Sequence, residues 1–173
     1  MKKILLLTLT ILFLASDTSY AFCFNRGMKK GETMQTLSEY QKTIMFPIGS
    51  TNDAYAKYFK GQSYLHPISV EQVKMYNVTF EPKCRNNWHI HKAKTGGGQI
   101  LIAVGGRGYY QEWGKDAIEM KSGDVINIPP NVKHWHGAAK DSWFSHIAVE
   151  VDGEETENVW LEPVTDEEYN KLK

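Results

Sequence analysis

The chain has 173 residues, with 20 Lys+Arg balanced by 20 Asp+Glu, so it lacks the basic excess that marks a nucleic-acid partner. Hydrophobic residues make up 42% of it, with no low-complexity tract and no internal repeat, which fits one ordinary domain that buries a core without disulfide staples.

In chain order, Lys2 and Lys3 precede an apolar run from Ile4 to Leu14, and Ser19-Tyr20-Ala21 supplies small residues where a signal peptidase reads. Residues 1–21 are therefore expected to be a signal peptide cleaved after Ala21, placing the protein in the periplasm or outside the cell. The run is about half of the roughly 20 residues a permanent helical anchor needs, so no stable membrane anchor is expected. Bulky Phe22 before Cys23 argues against a lipoprotein. Cys23 and Cys84 would share a compartment that permits disulfides, and whether they pair is left open.

Residues 22–60 read as an N-terminal extension. It has a weak helical pattern through Met34, Leu37, Tyr40 and Ile44, then a short helix from the N-cap Asn52 through Lys60, stopped by Gly61. From residue 61 the chain turns to β. Short alternating or apolar runs cover 62–66, 74–80, 87–91, 99–104, 107–112, 117–120, 125–128, 134–138 and 143–151. Turn signals separate them, among them Gly105-Gly106, Ser122-Gly123 and Pro129-Pro130-Asn131. Many short strands at close spacing read as a jelly roll or barrel. Thr165-Asp166-Glu167-Glu168 has capping-box form and predicts a terminal helix through Leu172. Thr95-Gly96-Gly97-Gly98 precedes a strand and not a helix, so it reads as a flexible lip over a site and not as a phosphate loop.

His89 and His91 are one residue apart, and on a strand of period two they project from the same face, where two imidazoles can share one ion. His134 and the amide oxygen of Gln99, from neighbouring strands, would complete one side of a coordination sphere and leave open positions for water or substrate. His136 lies two residues beyond His134 on the same face, where a neutral imidazole serves as base or acid.

These residues resemble the two cupin motifs, Gly-x5-His-x-His-x(3,4)-Glu-x6-Gly and Gly-x5-Pro-x-Gly-x2-His-x3-Asn. His89, His91, Gln99 and Gly106 match the first, and Gly123, Pro129 and His134 match the second. Lys83, Asn131 and Ala138 depart from the pattern, Gln99 replaces the glutamate, and KAKTGGG lengthens the gap before it. The segments WHIH, GGGQILI, GRGYYQE, GDVINIPPNVKHWHGA and SHIAVE look like the small single-domain cupins described beside carboxymuconolactone decarboxylases, some relatives of which are manganese-dependent hydroxynitrile lyases.

The resemblance implies an all-β, double-stranded β-helix (jelly-roll barrel) with short N-terminal and C-terminal helices, the barrel and last helix occupying residues 61–173. It implies His89, His91, Gln99 and His134 as ligands of a divalent transition metal, manganese by the relatives, with iron, nickel or zinc equally suited to the donors. His136 and His146 match histidines near the metal in those relatives. The expected activity is that of a metal-dependent lyase or isomerase acting on a small oxygenated molecule. The alternatives are an iron-dependent dioxygenase and a non-catalytic protein that binds a small ligand or metal. Sheet edges that need covering lead to the expectation of a homodimer.

Overall fold

The computed structural model describes residues 33–172. The signal-peptide reading and Cys23, and so any Cys23–Cys84 pair, lie outside them. Cys84 itself is buried, and burial pushes its thiol pKa up.

Thr36 opens helix α1 (Leu37–Gln41) with the capping box its sequence allows: Glu39 N donates to the threonine hydroxyl, and Thr36 N donates to the Glu39 carboxylate at 2.7 Å. The buried face of α1 is Tyr40, which stacks on Trp143 and donates to Ser145 Oγ at 3.0 Å. After strand β1 (Ser50–Thr51), residues Asp53–Tyr58 form a 3₁₀ helix and not the longer helix expected through Lys60. The Asn52 side chain donates to Ser63 Oγ instead of capping, and Phe59 packs on Phe80, so Phe59–Lys60 leave as strand β2.

The barrel strands follow: β3 (Ser63–Ser69), β4 (Met75–Phe80), β5 (Arg85–Asn86), β6 (His89–Lys92), β7 (Thr95–Gly96), β8 (Gln99–Glu112), β9 (Ile118–Lys121), β10 (Val125–Ile128), β11 (Lys133–Ala138), β12 (Phe144–Glu150), β13 (Gly153–Glu154) and β14 (Glu157–Trp160). Every pairing is antiparallel, and the main path runs β1-β3-β4-β12-β8-β11-β5-β2. This is the all-β jelly roll that the motifs implied.

Strand β8 closes it. The sequence reads Gly105-Gly106 as a turn between two strands, but the structure has one strand of 14 residues. Its first half pairs with β12 and β10, and its second half with β11 and β9. At the junction the register against β12 shifts between Ser145 and His146, and Gly106 takes φ +66°. A β-carbon there would lie 1.8 Å from the Trp143 carbonyl oxygen. The register skips Val104, so the strand bulges just before the glycine pair, which bends it from one wall to the other without ending it.

Phe80, Leu101, Met120 and Phe144 form the inner core, each fully buried. Trp88, Tyr109, Trp135 and Tyr169 form a second cluster beneath the terminal helix α2 (Asp166–Asn170). That helix starts on the expected capping box at Thr165 and ends short of Leu172. Arg85 ties it down from the interior, donating to the Val164 carbonyl at 3.0 Å and to Asp166 at 2.7 Å and lying over the Tyr169 ring.

Candidate metal centre

The pleat of β6 sends His89 and His91 to the inner face, and its pairing with β11 sets His134 directly across from His89. The rings of His89 and His134 are 4.1 Å apart, and that of His91 is 5.2 and 5.4 Å from the two. All three side chains are buried.

Their tautomers follow from their hydrogen bonds. His89 Nδ1 donates to the Asn87 carbonyl at 2.9 Å, His134 Nδ1 to the Val132 carbonyl at 2.9 Å, and His91 Nδ1 to Asn158 Oδ1 at 2.7 Å. A proton on each Nδ1 leaves each Nε2 with a bare lone pair. His91 Nε2, His134 Nε2 and Gln99 Oε1 are buried with no hydrogen-bond partner. One such orphan costs about 1–3 kcal/mol, and three together form a group that could hold a cation. The donors fit a divalent transition metal.

Gln99 arrives here because the preceding segment is rigid. The expectation of a flexible lip at Thr95–Gly98 is corrected: Thr95–Gly96 is strand β7, paired with β13. Gly96, Gly97 and Gly98 take φ +61°, +76° and +91°, which only glycine adopts in succession without strain. A β-carbon on Gly98 would sit 2.3 Å from the Ile128 carbonyl oxygen. Asn131, where the second cupin motif has glycine, takes φ +66° and bonds both backbone polar groups of Ala93, holding the segment from the other side.

His136 and His146 lie deeper in the same interior. Nitrogens of His89, His134 and His136 all fall within 4.8 Å of one another, but the His136 nitrogens are already engaged. Asn86 Oδ1 accepts from His136 N at 2.9 Å, which turns Asn86 Nδ2 toward the ring, 3.0 Å from Nε2. His136 Nδ1 and His146 Nε2 are 3.0 Å apart. His136 thus sits beside the set with the orphaned acceptors, in a relay that runs Asn86–His136–His146.

Burial sets the proton affinity of the whole group. It pushes the pKa of His134 down to about 4 and of His146 down to about 3. It also holds His89 and His136 well below the ordinary value, reinforced by repulsion from neighbouring imidazoles. Burial lowers His91 as well, opposed by its hydrogen bond to Asn158 and by the charge of the nearby Glu150 carboxylate. All five rings are neutral at pH 7, the state in which imidazole binds a metal or accepts a proton.

His89, His91, Gln99 and His136 line a cavity of about 180 Å³ whose other walls include Phe59, Leu65, Tyr76, Val78 and Trp160. Trp160 stacks on His89 at 4.7 Å and on Tyr58 at 4.6 Å. A polar cleft of about 340 Å³ adjoins it at the rim and shares His91, Glu150 and Asn158 with it. Sequence reasoning missed Asn86, Asn158 and Trp160. Only the alternation in Glu157-Asn158-Val159-Trp160 signalled the strand that carries the last two.

No protein-family model matches the chain. It is 41% identical over 97 residues to an (R)-mandelonitrile lyase of Granulicella tundricola, an alignment covering 55% of this chain and 70% of that protein. It is 40% identical to a cupin-like protein of Thermotoga maritima, with a TM-score of 0.65, covering 75% of this chain and 96% of that one. A DMSP lyase of Ruegeria pomeroyi shares the fold at 14% identity and a TM-score of 0.50, covering 79% of this chain and 75% of its own. With the barrel, the paired motifs and these relatives in place, the chain belongs to the cupin family.

Proposed function

We propose that this cupin is a metal-dependent lyase or isomerase acting on a small oxygenated molecule, in which His89, His91, Gln99 and His134 hold a divalent ion and His136 moves the proton. The observation that carries the reading is the group of buried, unpartnered acceptors on His91, His134 and Gln99, beside a cavity that His91, Gln99 and His136 line, with His136 bonded to the deeper His146. Four neutral ligands leave a divalent ion its full charge, and the chemistry it would supply is Lewis-acid polarisation of a substrate oxygen.

The chain's own residues do the rest. Asn86 donates to His136 Nε2, so that nitrogen carries a lone pair, and Nδ1–H points at His146 Nε2. A substrate hydroxyl that takes the place of the Asn86 amide hands its proton to His136 Nε2, while His146 accepts from Nδ1–H and holds the ring in place. The relative's name supports a hydroxynitrile as the substrate type. Loss of the hydroxyl proton then breaks the bond between the carbinol carbon and the nitrile carbon. The electron pair leaves on cyanide, which takes the proton from His136 and departs as hydrogen cyanide, and an aldehyde remains. Phe59, Leu65, Val78 and Trp160 hold the organic body and keep water out.

The same proposal has manganese as the ion and a homodimer as the assembly. It has the protein working in the periplasm or outside the cell after loss of residues 1–21, with 22–60 as an extension and 61–173 as the barrel domain.

The test is elemental analysis of the protein as isolated, followed by turnover per bound ion on aldehyde cyanohydrins, small hydroxy acids and catechols. One divalent ion per chain and cyanohydrin cleavage are expected. His136→Ala should keep the ion and lose about 10²- to 10⁴-fold in kcat. Absence of turnover with manganese, iron, nickel or zinc loaded overturns the enzyme, and turnover that requires iron and oxygen reassigns it to a dioxygenase.

A further inference from the structure

The three imidazoles of the proposed centre are not held alike. His89 and His134 donate Nδ1–H to backbone carbonyls two residues earlier in their own stretch of chain, Asn87 and Val132. Side-chain substitution cannot remove those acceptors. His91 donates instead to a side chain, Asn158 Oδ1, at 2.7 Å.

That contact comes from the register of β14 on β6, which sets Asn158 opposite His91 and Trp160 opposite His89. Residues two apart on β14 thus face residues two apart on β6, one partner bonding its imidazole and the other stacking on it. Asn158 lines both the inner cavity and the outer cleft, at the point where the two meet.

We propose that Asn158 is a positioning residue of the metal centre, holding His91 in the tautomer that keeps Nε2 bare toward the ion. The inference rests on the centre proposed above. Without an acceptor at position 158, His91 is free to carry its proton on Nε2, and every such molecule must move that proton before a metal can bind. The choice of asparagine over aspartate has a further consequence. A neutral acceptor orients the ring without adding negative charge behind it, so the ion keeps the electrophilicity that the neutral ligand set gives it, whereas a carboxylate makes the imidazole a stronger donor and binds the ion more tightly.

The experiment measures Mn²⁺ and Co²⁺ affinity by chelator competition, with the visible spectrum of the Co²⁺ form as a signature of ligand geometry. It uses the full chain and the variants Asn158→Leu, Asn158→Asp and His91→Ala. Loss of an outer partner of this kind weakens metal binding about 10- to 100-fold. Asn158 is exposed at the rim, where water takes over part of its role, so Asn158→Leu should lie near the tenfold end with an altered Co²⁺ spectrum. Asn158→Asp, which can only accept, should bind at wild-type strength or tighter. A purely structural role would instead change the stability of the metal-free protein and leave affinity alone. Asn158→Ala repeats the measurement should leucine disturb the strand. Wild-type affinity in the leucine and alanine variants, with His91→Ala weakened, overturns the role of Asn158 and leaves the centre standing. Unchanged affinity in His91→Ala overturns the centre, and this inference with it.

Discussion

Replacing Gln99 with leucine should move stability in opposite directions with and without metal. In the metal-free protein Gln99 Oε1 is a buried acceptor with no partner, on a side chain only 8% exposed. Such a group costs about 1–3 kcal/mol, and an apolar side chain of similar size removes that cost. Gln99→Leu should therefore stabilise the metal-free protein by about 1–2 kcal/mol. At this chain length that raises Tm by about 2–4 °C per kcal/mol. In the loaded protein one ligand is gone, and each tenfold loss of affinity removes about 1.4 kcal/mol of metal-linked stabilisation. The assay is urea unfolding of wild type and variant, each dialysed against chelator and then reloaded. A metal-free variant less stable than wild type, or a variant that gains as much from metal as wild type does, would refute the assignment of Gln99 as an acceptor waiting for a cation.

Acid should unfold the metal-free protein through the same cluster. The pKa of His134 lies at about 4 and of His146 at about 3 against an ordinary 6.5, so the unfolded state binds more protons below that value. Their contribution is complete above about pH 6.5 and is lost as pH falls toward 4 and 3, reaching about 3 kcal/mol for each by pH 4.5. Since whole domains hold only about 5–15 kcal/mol, an unfolding transition is expected near pH 4–5, with uptake of two or more protons. A circular-dichroism titration that shows no transition above pH 3.5 would count against buried neutral imidazoles. Gly106→Ala places a β-carbon 1.8 Å from the Trp143 carbonyl at φ +66° and should cost about 3 kcal/mol or more in urea unfolding; a loss under 1 kcal/mol would mean that the Trp143 carbonyl does not press on Gly106 in this way. Light scattering on the purified protein should report a dimer, since Trp113, Ile118 and Val125 leave large apolar side chains in solvent, and a clean monomer at micromolar concentration would refute that.

The inner face of the site was legible because its information is local. One-residue spacing on a strand fixes a shared face, so His89 with His91, and His134 with His136, needed no tertiary knowledge. What was misread depended on distant partners. Gly105-Gly106 and Gly96-Gly97-Gly98 each permit a turn, a bulge or a loose loop. The choice was made by the Trp143 carbonyl in one case and by β13, Ile128 and Asn131 in the other. Asn158 and Trp160 were missed because β14 is a short edge strand with only its last two residues half-buried, too weak an alternation to stand out. The sequence predicts a longer helix than the 3₁₀ helix at Asp53–Tyr58 because nothing local shows the Asn52 amide bonding to Ser63.

The continuity of β8 says where this protein can change length over evolutionary time. Gln99 begins the strand, and Glu112 near its far end is the register partner of His134, so two of the four proposed ligands depend on one uninterrupted count of residues. Deleting or inserting a single residue within that count would turn one end of the strand inside out and send a ligand to the outer surface. The segment from 93 to 98 is under the same restriction, since its bonds to β13 and Asn131 are what deliver Gln99 to the site. Insertions and deletions among natural variants should therefore gather in the hairpin after Glu112, and be missing from residue 93 to Glu112.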